Sequence, residues 1–325
     1  MRNGFPGRAL AALALTVTVF GAHAQTWPER PIKWVNPFPA GGGTDAFARP
    51  MAQKLSQLFG QNVLIENMAG AGGTVGAGAA AKANPDGYTW FVGAVHHTIA
   101  ETLYAKLPYE GLEANFEPVT VLAYVPNVVV INPKHDFKTL QDLIKYAKDN
   151  PGKLNFGSAG NGTTHHLVGE LFKLRTGTQI THVPYRGAGP LMPDLLAGVV
   201  DLAFDGMGTS GPQIKAGKLR ALAVSSPNRN ALIPDVPTMA EAGVEGVKVT
   251  TWYAVFAVKG TPRAIQDKMY EAIAKVLKDP DIKKVWDSQG ADLGGLPPAE
   301  FRKFVRQEIE TWGKVVKESG ARIDN

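Results

Sequence analysis

The stretch Pro37–Leu55, PFPAGGGTDAFARPMAQKL, decides the fold. It continues a β-rich run at Ile32–Phe38, passes through three consecutive glycines, and ends where Phe47, Met51 and Leu55 recur at every fourth position. That spacing predicts the buried face of an amphipathic helix. Glycine is costly in backbone entropy. Three glycines between a strand and a helix therefore indicate that something approaches this backbone closely.

The same order of strand, Gly-rich loop and helix occurs four times. After the first unit come NVLIEN with the loop Met68–Thr74, KLNFGS with the loop Ala159–Thr164, and ITHVPY with the loop Arg186–Pro190. Four such units predict an α/β fold built from parallel βαβ units. In such sheets ligands bind at the carboxyl ends of the strands, beside the helix N-termini.

The first Gly-rich loop is a candidate anion site. A helix N-terminus offers free N–H groups and the positive end of the helix dipole. Gly41, Gly42 and Gly43 leave room for an anion such as a carboxylate to reach those groups, and Thr44 can add a hydroxyl. The alternative is that the glycines serve only a tight turn. Asp45, in the first helical turn, is predicted to cap the helix and complement its dipole.

The motifs of nucleotide binding and nucleophilic catalysis are missing from the sequence. There is no Gly-Lys-Ser/Thr of a phosphate loop, and Gly76-x-Gly78-x-x-Ala81 falls inside an Ala-rich helix rather than at a strand end. The residues around Ser158 fail the G-x-S-x-G pattern at its first glycine, and the chain has no Cys. The sequence therefore favours a binding protein without catalysis and without a cofactor. The alternative enzyme is a secreted hydrolase or isomerase that uses Ser158 with His165 or His166.

Two adjacent histidine pairs, His96-His97 and His165-His166, are candidates for ligand contact. Adjacent helical residues point about 100° apart, unlike the i, i+4 pair of a zinc helix, so no metal site is predicted. Each pair can donate to a carboxylate, or one member can pack or cap. Two further alternatives stay open: Asp205 holds a loop or accepts from the ligand, and Arg186 forms a structural ion pair or grips a carboxylate.

The N-terminal segment indicates export, and the charge bears on the class of partner. Residues 1–24 have the pattern of a signal peptide cleaved before Gln25. They contain basic residues, then a 14-residue apolar run, then the cleavage motif Ala22-His23-Ala24. An exported chain without cysteines suits the bacterial periplasm. The net charge of +5 is spread out with no Lys/Arg block, so nucleic acid is not an expected partner.

Five motifs resemble one family in order and spacing: PFPAGGGTDAFAR, ENMAGAGGTVGA, GSAGNGTTHHL, VPYRGAGPLMPDLLAGVVDLAFD and PDVPTMAEAG. They are similar to the Bug/TctC solute-binding proteins, the periplasmic receptors of tripartite tricarboxylate transporters. The resemblance implies a type II periplasmic-binding-protein fold, with two lobes, each a sheet flanked by helices, and the ligand in the cleft between them. It also implies that backbone N–H groups at Ala40–Thr44 and Tyr185–Gly189 bind a ligand carboxylate. The family's single His matches His166, so His165 is a departure that bears on specificity.

The order of elements suits two lobes. Pro118–Pro133 has the strand character to cross between lobes, Lys218–Ser226 is expected to cross back, and Thr251–Pro262 to return to the first sheet. The expected division is lobe 1 at 25–125, lobe 2 at 126–224, and lobe 1 again with the C-terminal helices at 225–325.

The sequence thus predicts a monomer that closes on a small carboxylate or dicarboxylate and passes it to the transporter permease subunits. The residues expected to form the pocket wall are Phe38, His97, Ser158, His165 and Trp252. Their aromatic and imidazole rings are compatible with an aromatic acid of the phthalate or terephthalate type. A ligand-sensing partner of a membrane receptor is the alternative role. The candidate ligand-binding residues are Phe38, Ala40, Gly41, Gly42, Gly43, Thr44, His97, Ser158, Asn161, Thr163, Thr164, His165, Tyr185, Arg186, Gly187, Ala188 and Asp205.

Overall fold

The computed structural model describes Met1, residues 27–321 and Ile323. The predicted signal peptide and its cleavage before Gln25 lie outside the described residues. The strands are β1 Ile32–Asn36, β2 Val63–Asn67, β3 Thr89–Ala94, β4 Phe116–Ile131, β5 Asn155–Ser158, β6 Thr181–Pro184, β7 Leu202–Gly206, β8 Arg220–Val224, β9 Thr250–Val258 and β10 Asp292–Leu293. The helices are α1 Gly43–Phe59, α2 Thr74–Ala81, α3 Val95–Leu103, α4 Leu112–Asn115, α5 Leu140–Asp149, α6 Thr164–Thr176, α7 Ala188–Ala197, α8 Met207–Lys215, α9 Arg263–Val276, α10 Pro280–Ser288 and α11 Pro298–Ser319.

One long strand, β4, joins the sheets of the two lobes. The strand order is β2-β1-β3-β9-β4-β7-β5-β6, and β8 and β10 also pair with β4. The first part of β4 pairs with β9 as far as Pro126, opposite Thr250. From Asn127, opposite Gly206, it pairs with β7. The boundary between the sheets therefore falls within one continuous strand.

The four predicted βαβ units are confirmed. The strand pairs β1/β2 and β5/β6 are parallel, and a helix follows each of these strands. The predicted stripe of α1 is fully buried at Phe47, Met51 and Leu55. Because each strand is followed directly by a loop and then by a helix, every Gly-rich loop lies at the carboxyl end of its strand.

The expected return crossing at Lys218–Ser226 is wrong. Strand β8 pairs with Val128–Ile131 of β4, which lies in the second sheet, and Val224 forms a further bridge with Thr238. The chain stays there, because Met239 N donates to Val224 O and Val249 N donates to Ser225 O. We therefore place the second crossing at the start of β9, near Thr250, and extend lobe 2 to about residue 249.

Two hydrophobic clusters cover opposite faces of the sheet. One includes Phe91, Phe256 and Trp252 with Phe301 of α11, and the other includes Trp34 and neighbours from α1, α9 and α10. Neighbouring residues of β9 alternate between them, because successive strand side chains point to opposite faces. In the part of the chain that is described, no helix has the length and apolar character that a bilayer crossing requires.

Candidate functional site

The Gly-rich loops of both lobes meet in a cleft with two parts. The inner pocket is lined by Phe38, Gly42, Gly43, Thr44, His96, Ala159, His165, Ala188 and Tyr253. The outer chamber, a cavity of about 480 Å³, is lined by Phe38, Ala69, Gly70, Ala71, Gly72, Gly73, Tyr104, Ala159, Gly160, Asn161, Pro184, Tyr185, Arg186 and Ile323. The two parts share Phe38 and Ala159.

Three helix N-termini point their first turns at this cleft. Helices α1, α7 and α8 follow Gly42, Gly187 and Gly206, and among the described residues none of these N-termini has a side-chain cap. Their first N–H groups are donors with a positive dipole end behind them. The loops also approach each other closely: a Cβ on Gly189 would lie 2.7 Å from Ala40 O. Glycine is required here by backbone packing across the cleft as well as by access to N–H groups.

Gly43 makes room for a protein side chain. A Cβ at this position would overlap the hydroxyl oxygen of Tyr253. The ring of Tyr253 stacks on Phe47 of α1, with 5.4 Å between the centroids. Burial, followed by the charge of Asp205, raises the pKa of Tyr253 and keeps its hydroxyl protonated at neutral pH. The third glycine of the triplet therefore allows a phenolic donor to stand at the start of α1.

Asp45 holds the first loop rather than capping α1 directly. Its Oδ2 accepts from Gly41 N at 3.0 Å and from Arg49 Nε at 2.7 Å. Its Oδ1 accepts from the side-chain amides of Asn36 and Asn67, each at 3.1 Å. Burial alone would raise the pKa of Asp45, but these hydrogen bonds outweigh burial and lower it. The carboxylate is saturated by its own partners, which leaves the α1 N-terminus free for another anion.

His96, and not His97, faces the inner pocket. His96 Nδ1 accepts from Thr164 N of the opposite lobe at 3.2 Å. Since a backbone N–H only donates, the neutral His96 ring carries its proton on Nε2. Burial, then the neighbouring His165 and His97, holds the pKa of His96 well below its ordinary value. His96 thus offers the pocket a neutral N–H donor.

His97 is a packing residue. Its Nδ1 accepts from Ala94 N at 3.0 Å, its Nε2 lies 3.3 Å from Gly73 O, and the ring is fully buried against Phe91. The prediction that His97 lines the ligand site is corrected by this geometry. The adjacent-pair argument did not show which member faced the cleft.

His165 lines the inner pocket, and the buried Asp205 lies beside it but lines neither part of the cleft in the described residues. His165 Nδ1 is 3.3 Å from Asp205 Oδ1, and both side chains are almost completely buried. The direction of that contact is unsuitable for a hydrogen bond, and both ring nitrogens are without partners among the described residues. Burial lowers the pKa of His165, and the carboxylate of Asp205 opposes this shift only in part. Asp205 Oδ2 accepts from Ser210 Oγ at 2.6 Å and from Thr209 Oγ1, so this residue also secures the start of α8.

Ser158 is not placed for catalysis. It is fully buried and lines neither part of the cleft. Its hydroxyl accepts from Gly160 N at 3.1 Å and is hydrogen-bonded to His182 Nε2 at 2.6 Å. Neither His165 nor His166 is its partner, which removes the proposed pair of nucleophile and base. Burial, then His166 and Lys173, lowers the pKa of His182 to about 3, so this ring is neutral at neutral pH.

Two threonines of the third loop are structural. Thr163 caps α6, since its Oγ1 accepts from His166 N and donates to Gly160 O at 2.7 Å. Thr164 Oγ1 bonds to Thr251 Oγ1 at 2.7 Å, where β9 begins. They support the third loop, but in the described residues they line neither cavity. Three more predicted residues also line neither cavity: Ala40, Gly41 and Gly187.

The outer chamber carries the remaining predicted residues. Tyr185 OH donates to Asp194 Oδ2 at 2.7 Å, which fixes its ring at the chamber wall. Arg186 is exposed at this wall and, within the described residues, makes no ion pair. Asn161 O accepts from Tyr104 OH at 3.4 Å across the two lobes. The chamber rim therefore combines one cation with groups from both lobes.

Sequence reasoning named His96 only as one member of a candidate pair and selected His97 instead, and it missed Tyr253, Ala159 and Tyr104. It also chose Trp252, which faces away from the cleft and donates from Nε1 to Glu308 Oε2 at 2.7 Å. Tyr253, the next residue of β9, points to the opposite face. Strand alternation predicts that Trp252 and Tyr253 point to opposite faces of the sheet. Which face of β9 lies toward the cleft depends on the neighbouring elements, and the sequence alone does not show it.

Comparison with known proteins agrees with this geometry. Residues 47–321 match the family model "Tripartite tricarboxylate transporter family receptor", TctC. The protein BugT of Bordetella pertussis is 38% identical over 322 residues, covering 97% of this chain and 98% of its own.

Solved structures of similar proteins have the same architecture. R. palustris Rpa4515 with adipate is 38% identical with a TM-score of 0.87, covering 91% of this chain and all of that one. The periplasmic binding protein BugD is 34% identical with a TM-score of 0.87, covering 91% and 99%. MatC of Rhodopseudomonas palustris with bound malate is 33% identical with a TM-score of 0.84, covering 89% and 100%. The chain therefore belongs to the Bug/TctC family of periplasmic solute-binding proteins, which are receptors and not enzymes.

Proposed function

We propose that this receptor captures a small carboxylate or dicarboxylate between its lobes and delivers it, as a monomer, to the permease subunits of a tripartite tricarboxylate transporter. The observation that carries the proposal is the convergence of uncapped helix N-termini with the neutral donors Thr44, His96 and Tyr253. Anions bind readily where N–H groups and dipole ends converge. Similar proteins with adipate and with malate support the same ligand class.

The energetics require several contacts together. Each helix-terminus contact contributes roughly 0.3 to 2 kcal/mol, whereas micromolar affinity needs about 8 kcal/mol. Exclusion of water by closure strengthens each hydrogen bond. The aromatic wall of Phe38, which meets His96 edge-on at 5.2 Å, extends the proposal to planar diacids of the phthalate or terephthalate type.

The size of the cleft constrains how the acid is held. The inner pocket has about 10 Å³ of free volume, close to the space of one water. The outer chamber of about 480 Å³ is within the range of small-molecule sites. We infer that one carboxylate enters the inner pocket as the lobes separate slightly, and that the rest of the ligand lies in the outer chamber.

A thermal-shift screen tests the proposal. The panel contains mono-, di- and tricarboxylates, aliphatic and aromatic, and each acid is paired with its neutral amide as a control. A ligand at a hundred times its Kd stabilises the folded protein by about 2.7 kcal/mol. Acids that shift the transition while their amides do not would support the site. A broad panel without any shift would overturn it. Uptake of the selected acid by cells with the permease, with and without this receptor, tests delivery.

A further inference from the structure

A second cavity lies at the back of the hinge, on the face of the sheet that is turned away from the cleft. Its volume of about 410 Å³ is within the range of small-molecule sites. Among the described residues it shares no lining residue with either part of the cleft. Leu171 of α6 and Lys248 line it from lobe 2. Phe304 and Glu308 line it from α11, which packs on lobe 1.

The walls of this hinge cavity are rich in aromatic rings. Four aromatic side chains line it: Tyr124, Trp252, Phe304 and Trp312. The ring centroid of Phe304 lies 5.7 Å from that of Trp252 and 6.2 Å from that of Tyr124, at interplanar angles of 65° and 88°. A cation within about 6 Å of an aromatic face is attracted by the ring, and tryptophan attracts it best. These walls therefore favour a cation over an anion.

A carboxylate stands among the rings. Glu308 Oε2 accepts from Trp252 Nε1 at 2.7 Å and from Trp312 Nε1 at 3.1 Å. Its other oxygen, Oε1, has no hydrogen bond within the described residues, and a carboxylate oxygen can only accept. The group that matches Oε1 is therefore a donor or a positive charge.

The charge of Glu308 is not offset by the protein around it. Burial is the largest influence and raises the pKa of Glu308, although the two indole N–H groups act in the opposite direction. Burial, followed by the charge of Glu308, also raises the pKa of Tyr124, so the phenol and the carboxylate are close neighbours. A cation next to Glu308 would favour its charged form.

The basic side chains nearest to the cavity do not fill this role in the described part of the chain. Arg175 of α6 forms its ion pair with Glu318 at the rim, and not with Glu308. Lys248 lines the cavity but is exposed and forms no ion pair there. Neither side chain neutralises Glu308, so the cation that suits this site comes from outside the chain.

We propose that the hinge cavity binds a small organic cation with a primary or quaternary ammonium group, held between Glu308 and the aromatic rings. This site is separate from the proposed carboxylate site. It lies on the other face of the sheet, uses different residues and selects the opposite charge.

Calorimetry with matched pairs in phosphate buffer without amines tests the proposal. Choline is compared with its uncharged carbon analogue 3,3-dimethylbutan-1-ol, and ethanolamine with propan-1-ol. At least one cation should bind the natural protein at least tenfold more tightly than its uncharged partner. Equal affinities within both pairs, or no binding of either cation, would overturn the proposal. The carboxylate site is tested by its own screen and would stand in either case.

The variant Glu308→Gln assigns the effect to this carboxylate. It removes the charge but keeps an oxygen that can accept from the two indoles, and it should reduce the preference for the cation at least fivefold. The control is Glu310→Gln, an exposed residue of α11 outside the cavity, which should leave the preference unchanged. An unchanged preference in Glu308→Gln would overturn the proposal. If Glu308→Gln does not fold, Phe304→Leu should weaken binding of the cation at least threefold, and an unchanged affinity would have the same meaning.

Lys248→Ala distinguishes a ligand from the protein's own ammonium group. Because this variant removes a like charge from the cavity wall, it should bind the cation at least as tightly as the natural protein does. Binding that occurs only in Lys248→Ala would mean that Lys248 itself occupies the site, and would overturn the proposal.

Discussion

Gly43 lines the inner pocket and also packs against the side chain of Tyr253. A Cβ at position 43 overlaps the hydroxyl of Tyr253, so Gly43→Ala must displace that ring from the pocket. We expect Gly43→Ala to weaken binding of the selected acid at least tenfold while the far-ultraviolet circular dichroism of the free protein stays unchanged. Calorimetry and circular dichroism on the same sample measure both effects.

Tyr253→Phe supplies the matched control for Gly43→Ala. If the clash with the hydroxyl causes the loss, the double variant should lose less affinity than the sum of the two single losses. Additive losses would mean that Gly43 acts on the ligand directly or only through the backbone.

His97 and His165 should respond in opposite ways to replacement by Ala. His97 is fully buried and hydrogen-bonded to Ala94 N, whereas both nitrogens of His165 lack partners among the described residues. We expect His97→Ala to lower the free energy of unfolding by about 2–4 kcal/mol, because it leaves a cavity and an unpaired donor. We expect His165→Ala to cost less stability and to weaken ligand binding more. Urea unfolding without ligand, combined with calorimetry, tests the pair, and the reverse pattern would make His165 the packing residue.

Residues whose position the backbone alone determines do lie at the pocket, and their contact with a ligand stays a prediction. Gly42, Gly43 and Thr44 line the pocket because a strand, a loop and a helix must follow in that order. The sequence could not show which of two adjacent side chains faces the cleft where that depends on a partner element, as at His96 or His97 and at Trp252 or Tyr253. The sequence carries the alternation, but the identity of the covering element comes from tertiary packing.

The first loop and helix α1 depend on Asp45 as one unit. Removing this carboxylate leaves Gly41 N, two side-chain amides and Arg49 without their acceptor. We expect Asp45→Ala to lower the free energy of unfolding by about 2–4 kcal/mol, more than a typical surface change. Asp86→Ala, which breaks an exposed pair with Arg30, is the control and should cost at most about 1 kcal/mol. Equal costs in urea unfolding would contradict the role given to Asp45.

At the scale of elements, local periodicity was sufficient for the four βαβ units and insufficient for the return crossing. The stripe of Phe47, Met51 and Leu55 determines α1 regardless of its neighbours. The composition of β8 shows that it is a strand, but not which half of β4 it pairs with. That choice follows from hydrogen bonds made by residues such as Met239 and Val249, which are distant along the chain.

The whole molecule should lose stability on mild acidification. Burial is the largest cause that lowers the pKa of His97 to about 4 and of His182 to about 3, and it also lowers the pKa of His96, His165 and His166. Between these values and the ordinary 6.5, the unfolded chain binds protons that the folded chain does not. Stability therefore rises with pH in this window and falls as pH decreases.

We expect the free energy of unfolding to fall between pH 7 and pH 5 by about 2 kcal/mol for each of His97 and His182. Urea unfolding at the two pH values measures this change. The double variant His97→Asn/His182→Gln should have a shallower dependence on pH, whatever its absolute stability. An unchanged slope would show that these rings accept protons in the folded state.

Closure of the two lobes is the last expectation, and it follows from how the lobes touch. Thr164 N donates to His96 Nδ1, and Tyr104 OH donates to Asn161 O, so each lobe contributes partners to the other. The lobes are joined where β4 passes Pro126 and where β9 begins at Thr250, which provides two hinge strands side by side. A ligand held by loops from both lobes gains all of its contacts only when the lobes approach. We expect the radius of gyration from small-angle scattering to decrease on binding, toward about 19 Å for a compact chain of this length. The neutral amide of the same acid is the control and should leave the radius unchanged. A constant radius with binding confirmed by calorimetry on the same sample would mean that the cleft is preformed. In that case Tyr104→Phe, which removes one hydrogen bond between the lobes, would leave the radius of the free protein unchanged as well.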